Sequence, residues 1–302
     1  MTASTETPAR TLRGTVLVLI SAASFGTTLI FTQRALDGGA TLPALLAYRY
    51  VLGFVMLVLV AGGIGQVLAV GDRKWRLLSI GGSGQAAIAG LSVAALQYIP
   101  AASVAFLFYT YPTWVAVLAI IRGTERVDGQ KIAALALSLA GIGIIVGNPF
   151  ATQLDPRGIA LALTDAVVYA LLIPWLGKIQ AGLKPAPAVT WMALGAGIWF
   201  VAGALILRAP LLHPSSALLV NAVALAVIPT ALALITFVAG LAILGPVRTS
   251  IVSTLEPFWT ALLAGVVLGQ AVGPRTWIGG AMIAAAMVVL QRKPSVATAT
   301  AD

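Results

Sequence analysis

Two carboxylates stand inside apolar stretches of this chain, and their neighbours decide what they can do. Glu256 precedes Pro257 near the middle of PVRTSIVSTLEPFWTALLAGVVLGQ, from Pro246 to Gln270. Asp165 lies in another greasy run, with Tyr169 one helical turn later. An ionised acid at the centre of a membrane helix costs ~2.5–3.5 kcal/mol on insertion scales, so such groups face water, a partner or a ligand. Arg49 is the one basic residue inside an apolar run, and one cation cannot neutralise two acids. Three readings stay open: an internal pair with Arg49, a cavity or proton role in which an acid meets a substrate ammonium, or a span boundary that leaves Asp165 outside the core. Arg49 itself either pairs internally or captures a carboxylate.

The other polar residues in apolar runs extend this set. Ser21, Ser24, Thr28 and Thr32 fall at helical spacing beside Phe25. Such a hydroxyl stripe either glues helices together or lines a cavity. Gln85 lies seven residues before Ser92, among Gly81, Gly82, Gly84 and Gly90, and its amide needs partners that lipid lacks. On a continuous helix, Phe106, Tyr109 and Thr110 share one face and Phe108, Tyr111 and Val115 another; the second is expected to face inward. Thr249, Ser253, Glu256 and Thr260 form one stripe. Pro257 removes a backbone donor and loosens the helix beside the acid. Pro229-Thr230 offers a further kink. The expected binding set is Phe25, Thr28, Gln85, Phe108, Tyr111, Asp165, Tyr169, Ser253 and Glu256.

Composition says where these residues live. The chain of 302 residues is 60% hydrophobic and 9% charged, with mean hydropathy +1.01. A soluble domain carries about a quarter charged residues, so this chain belongs in a lipid bilayer. It has no cysteine and one histidine, His213, in an interfacial loop without a nucleophile motif. That removes disulfides, thiolate metal sites and Ser–His–Asp chemistry; no catalytic residue, metal or cofactor is expected. There is no P-loop GxxxxGK[ST] for ATP, no ring that would mark a channel filter, and no basic cluster for nucleic acid, despite a net charge of +9.

The elements that must position the site are ten apolar runs, near 12–34, 43–63, 76–98, 101–121, 130–148, 158–178, 187–207, 217–240, 247–268 and 275–291. Roughly 20 helical residues cross the hydrocarbon core, and the absence of alternation argues against barrel strands. The first run is read as an uncleaved span rather than a signal peptide. With the N-terminus inside, Arg10, Arg13, Arg73, Lys74, Arg76, Arg122, Arg126, Lys131, Lys178, Lys184, Arg248, Arg292 and Lys293 all lie inside. Only Arg34, Arg157, Arg208 and Arg275 lie outside. The positive-inside bias places both termini in the cytoplasm.

The runs also repeat. Pro112 and Trp114 recur as Pro257 and Trp259, and Glu125 meets Gln270, at an offset of 145. Arg13, Gly14, Pro43 and Gly53 recur as Arg157, Gly158, Pro187 and Gly197 at 144, and Phe25 meets Tyr169. Five spans per copy force the second copy upside down, the inverted repeat of secondary transporters, with the site near the midplane between halves. The expected fold is an all-α membrane protein of ten helices in two inverted five-helix repeats, 12–148 and 158–291, between cytoplasmic tails at 1–11 and 292–302.

Three features carry a family resemblance: the paired endings Pro112–Glu125 and Glu256-Pro257–Gln270, the small-residue first span GTVLVLISAASFGTTLIF, and Ala47-Tyr48-Arg49. In these the chain resembles the EamA-type members of the drug/metabolite transporter superfamily, and among them the YddG-type exporters of aromatic and other neutral amino acids. Gln270 departs from the usual Glu. The resemblance implies a bacterial inner-membrane secondary transporter, monomeric or homodimeric, exporting small metabolites such as neutral or aromatic amino acids by alternating access. Export of other metabolites or drugs is the alternative.

Overall fold

The computed structural model describes residues 8–125, 127–148, 150, 153–269 and 271–291. Gln270, Arg126, Arg292, Lys293 and the outer parts of both tails lie outside the described residues. All regular structure among the described residues is helical. We label the main helices α1 (Pro8–Asp37), α2 (Leu42–Val60), α3 (Arg73–Ala95), α4 (Ala101–Ile121), α5 (Gly129–Val146), α6 (Pro156–Ile179), α7 (Pro185–Ile206), α8 (Ser216–Ser253), α9 (Glu256–Leu268) and α10 (Pro274–Leu290).

Eight of these, α1 to α8, are long and apolar enough to cross a membrane; α9 and α10 are shorter. The difference from ten equal runs has a local cause. The apolar run 247–268 is divided, its first part continuing α8 and its second forming α9. Within α8, Gly245 adopts φ 75° and ψ 170°, a turn open to glycine but strained for other residues, and Pro246 follows. At 13 residues α9 spans about 20 Å, short of a ~30 Å core.

Helices 4 and 9 are each preceded or interrupted by the same break. In α4 the helix stops at Phe108 and resumes at Tyr111; between α8 and α9 it stops at Ser253 and resumes at Glu256. Pro112 and Pro257 are the second residues of the resumed segments and have no N–H for the carbonyl four residues back. The turns tighten instead to three-residue bonds, Thr110 N–H to the Leu107 carbonyl (3.2 Å) and Thr254 N–H to the Ile251 carbonyl (3.1 Å). The hydroxyls of Thr110 and Thr254 donate to the same two carbonyls, each at 2.6 Å. The turn at Thr254-Leu255 therefore interrupts the expected stripe Thr249, Ser253, Glu256 and Thr260 between Ser253 and Glu256.

Packing between the halves is reciprocal. Helix α1 packs on α8 as α6 packs on α3; α4 meets α6 as α9 meets α1; α7 contacts α3 as α2 contacts α8. The pairs α2–α7 and α5–α10 join a helix to its own counterpart. These pairs exchange when α1–α5 are swapped with α6–α10, but α8 also meets α4, α5 and α6, contacts that α3 does not match with α9, α10 and α1 to the same extent. Glycines allow the closest approaches. A Cβ on Gly195 would sit 2.0 Å from the Leu78 carbonyl oxygen, and one on Gly279 would sit 2.4 Å from that of Gly141. Gly141 and Gly279 thus pack on each other inside the chain.

Candidate functional site

The break in α4 assembles an aromatic cluster. On a continuous helix Tyr109 would turn away from Phe108 and Tyr111, but the turn at Tyr109-Thr110 folds all three together. Ring centroids lie 5.5 Å apart for Phe108–Tyr109 and Phe108–Tyr111, and 6.4 Å for Tyr109–Tyr111. Tyr169 of α6 closes the group, stacked on Phe108 at 5.6 Å and edge-on to Tyr111 at 4.6 Å. The Tyr111 hydroxyl donates to the Ser250 carbonyl of α8 across 3.3 Å. Sequence periodicity brings Phe108, Tyr111 and Tyr169 together but misses Tyr109. The signal that reveals it is the paired motif Thr110-Tyr111-Pro112 and Leu255-Glu256-Pro257, read as a helix break rather than a kink.

Both acids border this cluster. Glu256 opens α9, half-buried, with the Tyr109 phenol placed to hydrogen-bond to it. Tyr169 lies within electrostatic reach of Glu256 and Asp165 alike. Asp165 sits inside α6 and its side chain is wholly buried. Its Oδ2 accepts from the Ser92 hydroxyl at 2.5 Å, while its Oδ1 has no hydrogen-bond partner among the described residues. Arg49 serves neither acid. Its Nε donates to Thr230 Oγ1 at 2.8 Å, tying α2 to the π-helical turn Ala226–Leu232 around Pro229. The reading of an internal pair with Arg49 is thereby corrected: Arg49 is used to hold α2 on α8.

The remaining expected residues are less tightly drawn in. Ser253 is buried, donates to the Thr249 carbonyl at 2.9 Å and borders Tyr111. Thr249 Oγ1, also buried, has no partner among the described residues. Phe25 packs on the main core, and Phe25 and Thr28 flank the break of α1 at Thr27. Gly26 at that break lies against Trp259 and Thr260 of α9. Gln85 is half-buried on α3, seven residues from Ser92, and is not part of the aromatic cluster.

Two larger cavities flank the cluster. A vestibule of about 550 Å³ is lined by Val115, Ala119 and Arg122 beside α4, Pro174 and Lys178 of α6, and Leu241 to Pro246 of α8, together with Arg10, Glu125, Lys131 and Arg248. A second, largely apolar groove of about 680 Å³ runs between α3 and α6, past Ile80, Ala87, Leu171, Leu172 and Trp175, and it too touches Arg122. None of the nine expected residues lines either cavity. Within the cluster Tyr109 and Tyr111 are buried, Tyr111 only 1% exposed, while Phe108, Tyr169 and Glu256 are half-buried. Val115 follows Tyr111 by one turn, and Pro174 follows Tyr169 by little more. The cluster therefore stands one turn deeper than the vestibule wall on both helices.

A strut that sequence reasoning did not single out crosses the vestibule. Glu125 accepts from Lys131 Nζ at 2.7 Å, and its other oxygen accepts from the backbone N–H of Val247, just past Gly245, at 3.4 Å. One carboxylate thus joins the ends of α4 and α5 to the break in α8.

The sequence of the EamA-like transporter family matches this chain twice, over residues 12–147 and 156–292. An "uncharacterized transporter" of Archaeoglobus fulgidus is 27% identical over 281 residues, covering 93% of this chain and 97% of that protein. A crystal structure of a protein 20% identical in sequence shares the fold with a TM-score of 0.78, covering 92% of this chain and 96% of its own.

Proposed function

The chain belongs to the EamA-like transporter family and is a membrane transporter rather than an enzyme, and from that premise we propose that it exports neutral or aromatic amino acids by alternating access. In this reading each match of the family is one five-span repeat, 12–148 and 158–291. Pro246 to Leu268 counts as the ninth crossing despite its break, and the repeats sit inverted in an inner membrane of bacterial type with both termini in the cytoplasm.

The observation that carries the reading is the place of the aromatic and acidic cluster. It lies where α4 and α6 meet the α8–α9 break, so that residues of both halves form it. The helix pairs that exchange between the halves support an inverted repeat, the architecture in which alternating access rocks one half against the other. The vestibule then leads from the cytoplasmic side, marked by Arg10, Arg122, Lys178 and Arg248, to the cluster. Phe108, Tyr111 and Tyr169 supply apolar faces with few polar handles, which suits an aromatic side chain. Glu256 and Asp165 supply negative charge for an ammonium, and neither is ion-paired with Arg49.

Purified protein in liposomes loaded with radiolabelled phenylalanine tests the proposal. Efflux that competes with unlabelled neutral amino acids is expected. Absence of efflux or exchange across the whole amino-acid panel would overturn the substrate assignment.

A further inference from the structure

We infer that the vestibule is an anion-recognising site and that the solute it admits carries a carboxylate or phosphate group; this rests on the reading of the vestibule as one end of the transport path. Cations from five separate parts of the chain converge on this one cavity: Arg10, Arg122, Lys131, Lys178 and Arg248. Among the described residues the only carboxylate in its wall is that of Glu125. Both of its oxygens are engaged, one by Lys131 Nζ and one by the Val247 N–H. It therefore balances Lys131 and leaves the charge of Arg10, Arg122 and Lys178 uncompensated by any acid in the wall. The positive-inside bias explains basic residues near helix ends, but it does not require them to share a cavity walled by Val115, Ala119 and Leu241. Like charges in a cleft with low-dielectric walls concentrate counter-ions there.

Arg122 adds a second constraint, because it borders both the vestibule and the apolar groove between α3 and α6. A ligand with an anionic head at Arg122 and an apolar body beside Leu171, Leu172 and Trp175 satisfies both cavities. A soluble organic anion has that shape, and so does an anionic lipid with its chain in the groove.

The test measures binding rather than flux. The purified chain in nanodiscs of neutral lipid is titrated with phenylacetate, inorganic phosphate and the uncharged phenylacetamide, following thermal stability. Phenylacetate or phosphate is expected to raise the melting temperature and phenylacetamide to leave it unchanged. The double substitution Arg122→Gln with Lys178→Gln is expected to weaken the anion effect about tenfold or more, the scale of one lost charge-assisted contact. Arg122→Lys with Lys178→Arg, which keeps both charges, is expected to preserve it and so controls for misfolding. In nanodiscs containing phosphatidylglycerol, loss of the soluble-anion effect together with less retained phosphatidylglycerol in the Gln variant would identify a lipid headgroup as the anion. Equal stabilisation by phenylacetamide, an undiminished anion effect in the folded Gln variant, or no anion effect in neutral lipid would overturn the inference. A chain that binds phenylacetate but moves no amino acid would overturn the substrate proposal alone.

Discussion

Tyr111 and Glu256 are counterparts that do different chemistry at the same place in the two repeats. Each is the first residue of a resumed helix and precedes its proline, 145 residues apart. Tyr111 reaches across to the carbonyl of Ser250, six residues before Glu256. One break thus presents a phenol and aromatic faces, and the other presents a carboxylate. A ligand held between them would meet unlike walls, which gives a zwitterion with an apolar side chain a preferred orientation.

That asymmetry makes Glu256 the first residue to change. Glu256→Gln keeps the size of the side chain and one oxygen that can accept from the Tyr109 phenol, and removes its charge. With no ion pair to Arg49 to lose, the variant is expected to express and to elute as the parent does on size exclusion. Its efflux of phenylalanine from liposomes is expected to fall at least tenfold, the scale of one lost charged contact of about 1.4 kcal/mol. Loss of expression together with transport would instead mark Glu256 as structural.

Asp165 calls for the opposite emphasis. A buried carboxylate with one unpartnered oxygen is held at a cost, because only the Ser92 hydroxyl compensates it. Asp165→Asn keeps an acceptor for Ser92 and removes the charge. The expected result is a chain no less stable than the parent, because the cost of burying a charge is removed while an unpartnered amide group takes the place of the unpartnered oxygen, and impaired in transport. A thermal melt in detergent beside a liposome flux assay reads both. A destabilised Asp165→Asn variant would show that a cation or further donor completes the site.

The sequence itself supplies a route to the conformational question, since it contains no cysteine. Ala119→Cys places a thiol in the vestibule wall, and Ser250→Cys places one at the buried contact with Tyr111. A membrane-impermeant thiol reagent is expected to label Ala119→Cys from the vestibule side much faster than Ser250→Cys. Equal rates would mean that the aromatic cluster does not close the path.

Much of the architecture is legible in composition and spacing. Pro112 and Trp114 against Pro257 and Trp259 announce the repeat, and the same family matches both halves. Phe108, Tyr111, Tyr169 and Glu256 can be gathered from helical spacing and the offset alone. What stays hidden depends on backbone detail that spacing assumes away. Periodicity presumes an unbroken helix, so it puts Tyr109 on the wrong face and passes over the interruption at Thr254-Leu255. Hydropathy measures runs, so it merges the piece after Gly245 with α9 and hides how short α9 is. The charge pattern names Arg10, Arg122 and Lys178 as topological signals, yet only the packing of α1, α4 and α6 shows that they share a cavity. Arg49 was the reverse case: chemistry suggested an acid partner, and the π-helical turn at Pro229 supplied Thr230.

Close helix packing offers a test that does not depend on the substrate. A Cβ on Gly195 would lie 2.0 Å from the Leu78 carbonyl oxygen, and that neighbour is backbone, which cannot rotate aside. Gly195→Ala must therefore push α7 away from α3, and an added carbon in a filled contact costs typically about 1–3 kcal/mol. Gly90, farther along the same α3, has nothing within 4 Å of an added Cβ. There the methyl meets open space and the helix gains from the loss of a flexible residue, by roughly 0.5–1 kcal/mol. Thermal melts in one detergent should therefore move in opposite directions, down for Gly195→Ala and level or up for Gly90→Ala. If Gly195→Ala melted with the parent, α3 and α7 would not be in the close contact on which the reciprocal packing of the two halves depends.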